Sequence, residues 1–147
     1  MNLSKEVKIT RVMNAVAAGI TDQNSTVLDM QGYDGVMFVA AFGTLTATQV
    51  TSIKAQQGAL PDGSDMIDLA GTAVGPLADA DGNKCLVLDV YRPQERYVRC
   101  VVDRGIANAV IDGIIAVQYS ARLMPTVHDA TTIAASELQV SPAEGTA

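Results

Sequence analysis

The stretch KCLVLDVYRPQERYVRCVVD (Lys84–Asp103) decides the fold. In its first half, Cys85, Val87, Asp89 and Tyr91 alternate with Leu86, Leu88 and Val90. In its second half, Val98, Cys100 and Val102 alternate with Arg99, Val101 and Asp103. Period-two alternation rich in β-branched residues is the pattern of a half-buried strand. Between the halves, Arg92-Pro93-Gln94-Glu95 turns the chain back, and Pro93 belongs at a strand edge because it lacks a backbone donor. The unit is strand, turn, strand.

The same grammar extends outward in both directions. Upstream, Val36–Phe42 (VMFVAAF) is apolar at every position between Gly32-Tyr33-Asp34-Gly35 and Gly43, which suits a central strand covered on both faces. Lys5–Met13 places Val7, Ile9 and Arg11 on one side and Glu6, Lys8 and Thr10 on the other. Asn14–Asn24 reads as a loop and Thr26–Met30 as a short strand. The Thr-rich stretch Thr44–Gln57 ends as a strand, and Pro61-Asp62-Gly63 is a turn. Met66–Ala70 and Thr72–Leu77 are short strands split by Gly71, and Asp79–Asn83 is a tight turn. Downstream, the segment after Gly105 fits either a helical turn or a strand over IANAVIDG, and IIAVQYSARL then reads as a long strand. Eight or nine short strands at regular spacing predict an all-β chain, an antiparallel β-sandwich or jelly roll. This body spans residues 1–124, with an extended N-terminal segment.

From Pro125 the character changes. Residues 125–147 hold Asp129, Glu137 and Glu144, no Lys or Arg, and no aromatic residue. Such a segment buries too little to offset its ordering entropy, so it is expected to be a C-terminal arm awaiting a partner.

Composition excludes several classes of function. Ten basic against sixteen acidic residues give a net charge of -6, the wrong sign for displacing counterions from a duplex. With no Trp and only two Phe, stacking platforms for bases or sugars are scarce. No stretch approaches the roughly 20 apolar residues of a membrane span, and the N-terminus lacks a signal-peptide core. Nucleic acid and membrane are therefore not the expected partners. Cys85 and Cys100 read as buried free thiols of a chain made in a reducing cytoplasm, with a cross-strand disulfide as the alternative.

Little here points to catalysis. The single histidine, His128, lies in the arm, where no rigid scaffold is expected to hold it. Asp79, Asp81 and Asn83 have the one-three-five spacing of a calcium loop, yet Lys84 and Val90 stand where such a loop needs Gly and Glu. The cysteines lack the neighbours of a zinc site. No enzyme activity, cofactor or metal is expected. The candidate residues are instead interface residues. Arg92, Arg96 and Arg99 form the densest cationic group, suited to pairing with an acidic partner or to ion pairs within the chain. Lys5, Lys8 and Arg11 make the N-terminal strand basic, and Asp129, Glu137 and Glu144 make the arm acidic. Opposite charges at the two ends suit head-to-tail pairing between neighbours.

Three blocks carry a resemblance to a known class. GYDGVMFVAAFG (Gly32–Gly43), DGSDMIDLAGT (Asp62–Thr72) and LVLDVYRPQERYVRCVV (Leu86–Val102) together resemble small tailed-phage capsid decoration (cement) proteins. The resemblance runs through residues 26–125. It implies a jelly-roll-like structural virion protein, made in the host cytoplasm and carried on the capsid exterior as a homodimer or homotrimer. It implies that the protein binds the phage major capsid protein and stabilises contacts between its subunits. Head–tail connector, neck or tail structural proteins use similar small β domains. A carbohydrate-binding jelly roll is the remaining alternative, with only Tyr33, Tyr91, Tyr97 and Tyr119 to offer a sugar.

Overall fold

The computed structural model describes residues 2–146. A short helix, α1 (Leu3–Glu6), precedes ten strands. These are β1 (Lys8–Met13), β2 (Val16–Gly19), β3 (Gln23–Asn24), β4 (Leu28–Asp29), β5 (Gly35–Leu45), β6 (Val50–Gly58), β7 (Ile67–Asp68), β8 (Cys85–Tyr91), β9 (Tyr97–Gly105) and β10 (Ala109–Tyr119). All pairings are antiparallel. The first sheet runs β1-β10-β5-β8, with β2 also on β10; the second runs β3-β9-β6-β7, with β4 also on β9. The chain is an all-β antiparallel sandwich.

One layer of side chains joins the sheets. Phe38, Phe42, Ile111 and Ile114 from the first sheet meet Ile53, Val98, Cys100 and Val102 from the second, each almost wholly buried. The alternation over Lys84–Asp103 holds: Leu88 and Val90 face inward, as do Val98, Cys100 and Val102.

Several expectations are corrected. Lys5 and Glu6 belong to α1, and in β1 it is Thr10, Val12 and Met13 that are buried, while Arg11 is exposed and Ile9 half-buried. Val7 is buried too, but against the outer side of the first sheet, beside Leu3, Met37, Val117 and Met124. Asn14–Asn24 is not a plain loop, since it carries β2 and β3. The ambiguous segment after Gly105 is strand from Ala109, because β10 pairs with β5 along almost its whole length. Of Thr72–Leu77 only the Val74 bridge to Ile53 remains.

Arg104 explains why β2 and β3 are ordered despite weak strand sequences. Its side chain is buried, donating from Nε to the Thr21 carbonyl at 2.9 Å and from Nη1 to the carbonyls of Ala17 at 3.0 Å and Ala109 at 2.7 Å. A buried guanidinium is tolerable only when its donors are so satisfied. It ties the β2–β3 segment to β10. Nothing in the local sequence separates this arginine from a solvated one.

The arm divides in two. Thr126 is buried, donates its N–H to the Lys5 carbonyl at 2.8 Å and its hydroxyl to the Val7 carbonyl at 2.6 Å. The Ile9 N–H donates to His128 Nδ1 at 3.1 Å, and the Arg11 N–H to Thr132 Oγ1 at 3.2 Å. Residues 126–133 thus cover the open edge of β1, in the way natural sheets protect edge strands. His128 is accordingly half-buried and held, contrary to the expectation from its place in the sequence. From Ala134 to Thr146 every residue is exposed.

Replacing Arg104 by Met should cost about 2 kcal/mol, because the buried Ala109 carbonyl and the partly buried carbonyls of Ala17 and Thr21 lose a charged donor. Urea unfolding of the variant against wild type measures this, and hydrogen exchange should accelerate first in residues 16–24.

Candidate interaction surface

The two outer faces of the sandwich differ in chemistry. Outside the second sheet, Lys54 pairs with Asp68 at 3.0 Å and with Asp103 at 3.5 Å. Arg99 Nε donates to Gln56 Oε1 at 2.7 Å, and Gln56 Nε2 donates to Asp68 at 2.6 Å. That face is a self-satisfied polar network.

Outside the first sheet the strand registers set up rows of a different kind. One row is Ile9, Val117, Met37 and Asp89; the next is Arg11, Ile115, Val39 and Val87; beyond it Ala41 sits beside Cys85. Ile9, Met37, Val39, Ala41, Ile115 and Val117 are half-buried, while Val87 is 50% exposed. The apolar run Val36–Phe42 is closed over on its inner side, while on its outer side only the Met37 end meets other side chains, those of Leu3, Val7 and Met124. Full coverage of both sides was expected, and the second covering layer is not supplied by the sandwich itself.

One end of this face is aromatic. Gly35 lies between Tyr119 and Tyr91 in register, and a Cβ there would fall 2.2 Å from the Tyr119 ring. The missing side chain lets Tyr119 stack with Tyr91, ring centres 6.4 Å apart and planes within 4°. Tyr119 donates its hydroxyl to Asp89 at 2.6 Å; burial first, and then this carboxylate, push its pKa up to about 12. Beside it, Leu3, Val7, Met37, Val117 and Met124 line a groove of about 470 Å³.

The arginines of the Pro93 turn are not gathered on one spot. Arg96 grips Asp29 with Nε at 2.9 Å and Nη2 at 2.7 Å, and also reaches Gln31 Oε1 at 2.6 Å. This hydrogen-bonded guanidinium holds the Asp29 carboxyl below its ordinary range. Arg92 takes a left-handed backbone (φ 53°) and lies over the Tyr91 ring at 5.1 Å. Arg99 belongs to the outer face of the second sheet. Arg92 and Arg96 share a polar cleft of about 710 Å³ with Arg122, Asp34 and Glu95, so charges of both signs line it.

The remaining candidates are spread as follows. Lys5 sits in α1, where its carbonyl receives Thr126. Lys8 is near enough to Asp29 and Asp129 for its charge to lower both carboxyls, though hydrogen bonds dominate each shift. At Asp129 those bonds come from Thr131, whose N–H and hydroxyl donate at 2.9 and 2.7 Å. Glu137 accepts from Gln139 Nε2, and Glu144 is exposed in the tail.

The supposed calcium turn is otherwise engaged. Asp79 accepts the Thr48 N–H at 3.0 Å, and Asp81 accepts from Ala78 N–H at 2.8 Å and Lys84 Nζ at 2.7 Å. Among the described residues no group of three or more His, Cys, Asp or Glu could hold a metal ion. Both cysteines are free thiols, but only Cys100 is buried; Cys85 stands exposed on the outer face of the first sheet. No protein-family model matches the chain, and no curated protein matches it significantly.

Burial pushes the Cys100 thiol up to about 12, so it stays protonated and shielded at neutral pH. Iodoacetamide should therefore modify Cys85 alone in the native protein and both cysteines in denaturant, as mass spectrometry will read. Modification of Cys100 without unfolding would contradict this packing.

Proposed function

We propose that this chain is a structural virion protein that binds the outer surface of a phage capsid and stabilises contacts between major capsid protein subunits. The observation that carries the reading is the C-terminal arm. Residues 126–133 are anchored along the β1 edge, and residues 134–146 then leave it, each of them exposed, with Leu138 42% and Val140 89% accessible. Among the described residues this tail makes no hydrogen bond to the body. A tether fixed at its root and carrying apolar side chains in extended sequence is suited to adding a strand to a neighbour's sheet edge.

Strand order supports the family resemblance. With β1 and β2 counted as one interrupted strand, and β3 and β4 as another, the chain has eight strands. The first sheet then holds the first, eighth, third and sixth, and the second holds the second, seventh, fourth and fifth. We read this order as a jelly roll, an architecture used by viral capsid and lectin domains. Fold alone does not assign function, which is why the arm bears the weight. The role also suits the energetics, since weak contacts repeated over a shell gain from avidity. A net charge of -6 keeps free copies soluble and away from packaged DNA.

Cosedimentation with expanded, empty capsids of the source phage tests the reading, with stoichiometry taken against the major capsid protein. Saturation at many copies per shell is expected. Binding at a handful of copies would transfer the assignment to a connector or neck role, and failure to bind would end it. Removing residues 134–147, while leaving the anchored 126–133, should weaken capsid binding about tenfold or more through lost avidity, with the β-sheet circular dichroism unchanged.

A further inference from the structure

We infer that the outer face of the first sheet is the contact surface for a second copy of this chain, packed sheet on sheet about a two-fold axis parallel to the strands. The inference is independent of the virion reading. It starts from the contrast between the two outer faces: one closes its own polar network, and the other presents Ile9, Met37, Val39, Val87, Ile115 and Val117, of which only Met37 and Val117 have cover, from Val7 at one end.

Charge selects the occupant and the axis. Within the rows, the only cation is Arg11, on edge strand β1, and the only anion is Asp89, on the opposite edge strand β8. Neither forms an ion pair among the described residues. They are three strand spacings apart, about 14 Å, too far to meet within one chain. A two-fold axis along the strands exchanges the edges, so β1 of one copy lies over β8 of the other. It leaves position along the strands unchanged, and Arg11 and Asp89 occupy adjacent rows about 7 Å apart along the strand. Arg11 now lies over Gly113, one row on the far side of its own, where Nη2 comes within 3.6 Å of the Cβ position, and it reaches Asp89 by swinging its guanidinium back across its own row to the row of Val117. The pair then forms twice, once on each side of the axis. An in-plane axis across the strands would instead set β1 on β1 and β8 on β8, leaving like charges together and opposite charges apart. A second copy therefore fits this surface in one orientation.

Area sets the expected strength. Four strands and seven residues of length give a face of roughly 19 by 23 Å in plan, on the order of 400 Å² per copy before side-chain relief is counted. A standard interface buries about 800 Å² per partner. The adjoining shelf of exposed Leu3 and Met124, 56% and 63% accessible, extends the contact towards that size. The dimer is thus one of moderate affinity, concentration-dependent in the micromolar range, rather than an obligate one.

Sedimentation equilibrium of the full chain from about 1 to 300 μM tests this. Wild type should shift from monomer to dimer. Arg11→Asp and Asp89→Arg should each weaken dimerisation about tenfold or more, and the double reversal should recover most of the loss. Val39→Asp should abolish the dimer, with β-sheet circular dichroism retained because Val39 faces outward. Alkylation of Cys85 should slow as the dimer fills. A wild type that stays monomeric throughout, a dimer indifferent to these substitutions, or a double reversal without recovery would each overturn the interface. Capsid cosedimentation reads the virion role separately, so either idea can fail alone.

Discussion

The structure depends on β5 and its place between β10 and β8. This strand is apolar on both sides, and a strand of that kind forces its sheet to seek cover on both faces. The inner side, with Val36, Phe38, Ala40 and Phe42 all buried, supplies the middle of the core. Everything packed against that layer follows from it: Ile53 on β6, Val98, Cys100 and Val102 on β9, and the long register of β10. The outer side, with Met37, Val39 and Ala41, is a demand that one sandwich cannot meet.

Protection of the sheet edges is the second organising feature. An open edge offers unpaired donors and acceptors to any passing strand. At β1 the chain answers with its own downstream segment, through Thr126, His128 and Thr132. At the other end of that edge, Arg104 holds β2 and the turn that follows it through the carbonyls of Ala17 and Thr21, and ties them to Ala109 of β10. Both devices use side-chain polar groups to supplement short or missing ladder pairing, so short and weak strands stay in position.

These two features divide the molecule's surfaces by task. The outer face of the second sheet satisfies its own charges through Lys54, Gln56, Asp68, Arg99 and Asp103 and has little left to offer a partner. The outer face of the first sheet is apolar along its middle rows, with Arg11 and Asp89 at opposite edges and Asp112 beyond them beside Gly43. The tail beyond Ile133 is anchored only at its root. A body that can pair with itself and a tether that can reach elsewhere are the attributes of a building component, which is the sense of the assignment proposed above.

The amino-acid sequence by itself determined the secondary-structure class and most strand identities. Alternation along Cys85–Tyr91 and Tyr97–Asp103 is enforced by local geometry, because successive side chains of a strand point to opposite faces wherever the strand lies. The turns at Pro61-Asp62-Gly63 and at Pro93 were legible for the same local reason. What only the tertiary structure decided was which apolar side meets the core. In β1 the periodicity put Val7 and Ile9 forward, yet Thr10 and Val12 face inward, since phase depends on a neighbour's register and not on the strand's own pattern. The strands at Val16–Gly19 and Gln23–Asn24 rest on the distant Arg104, and the anchoring of His128 rests on the free edge of β1. Of the candidate site, composition disclosed the charges but not their pairing: Arg96 meets Asp29 across 67 positions of chain, and Arg11 and Asp89 are placed on opposite edges of one face. Long-range pairing of this kind is set by how the sheets close on one another, and no local stretch of sequence contains it.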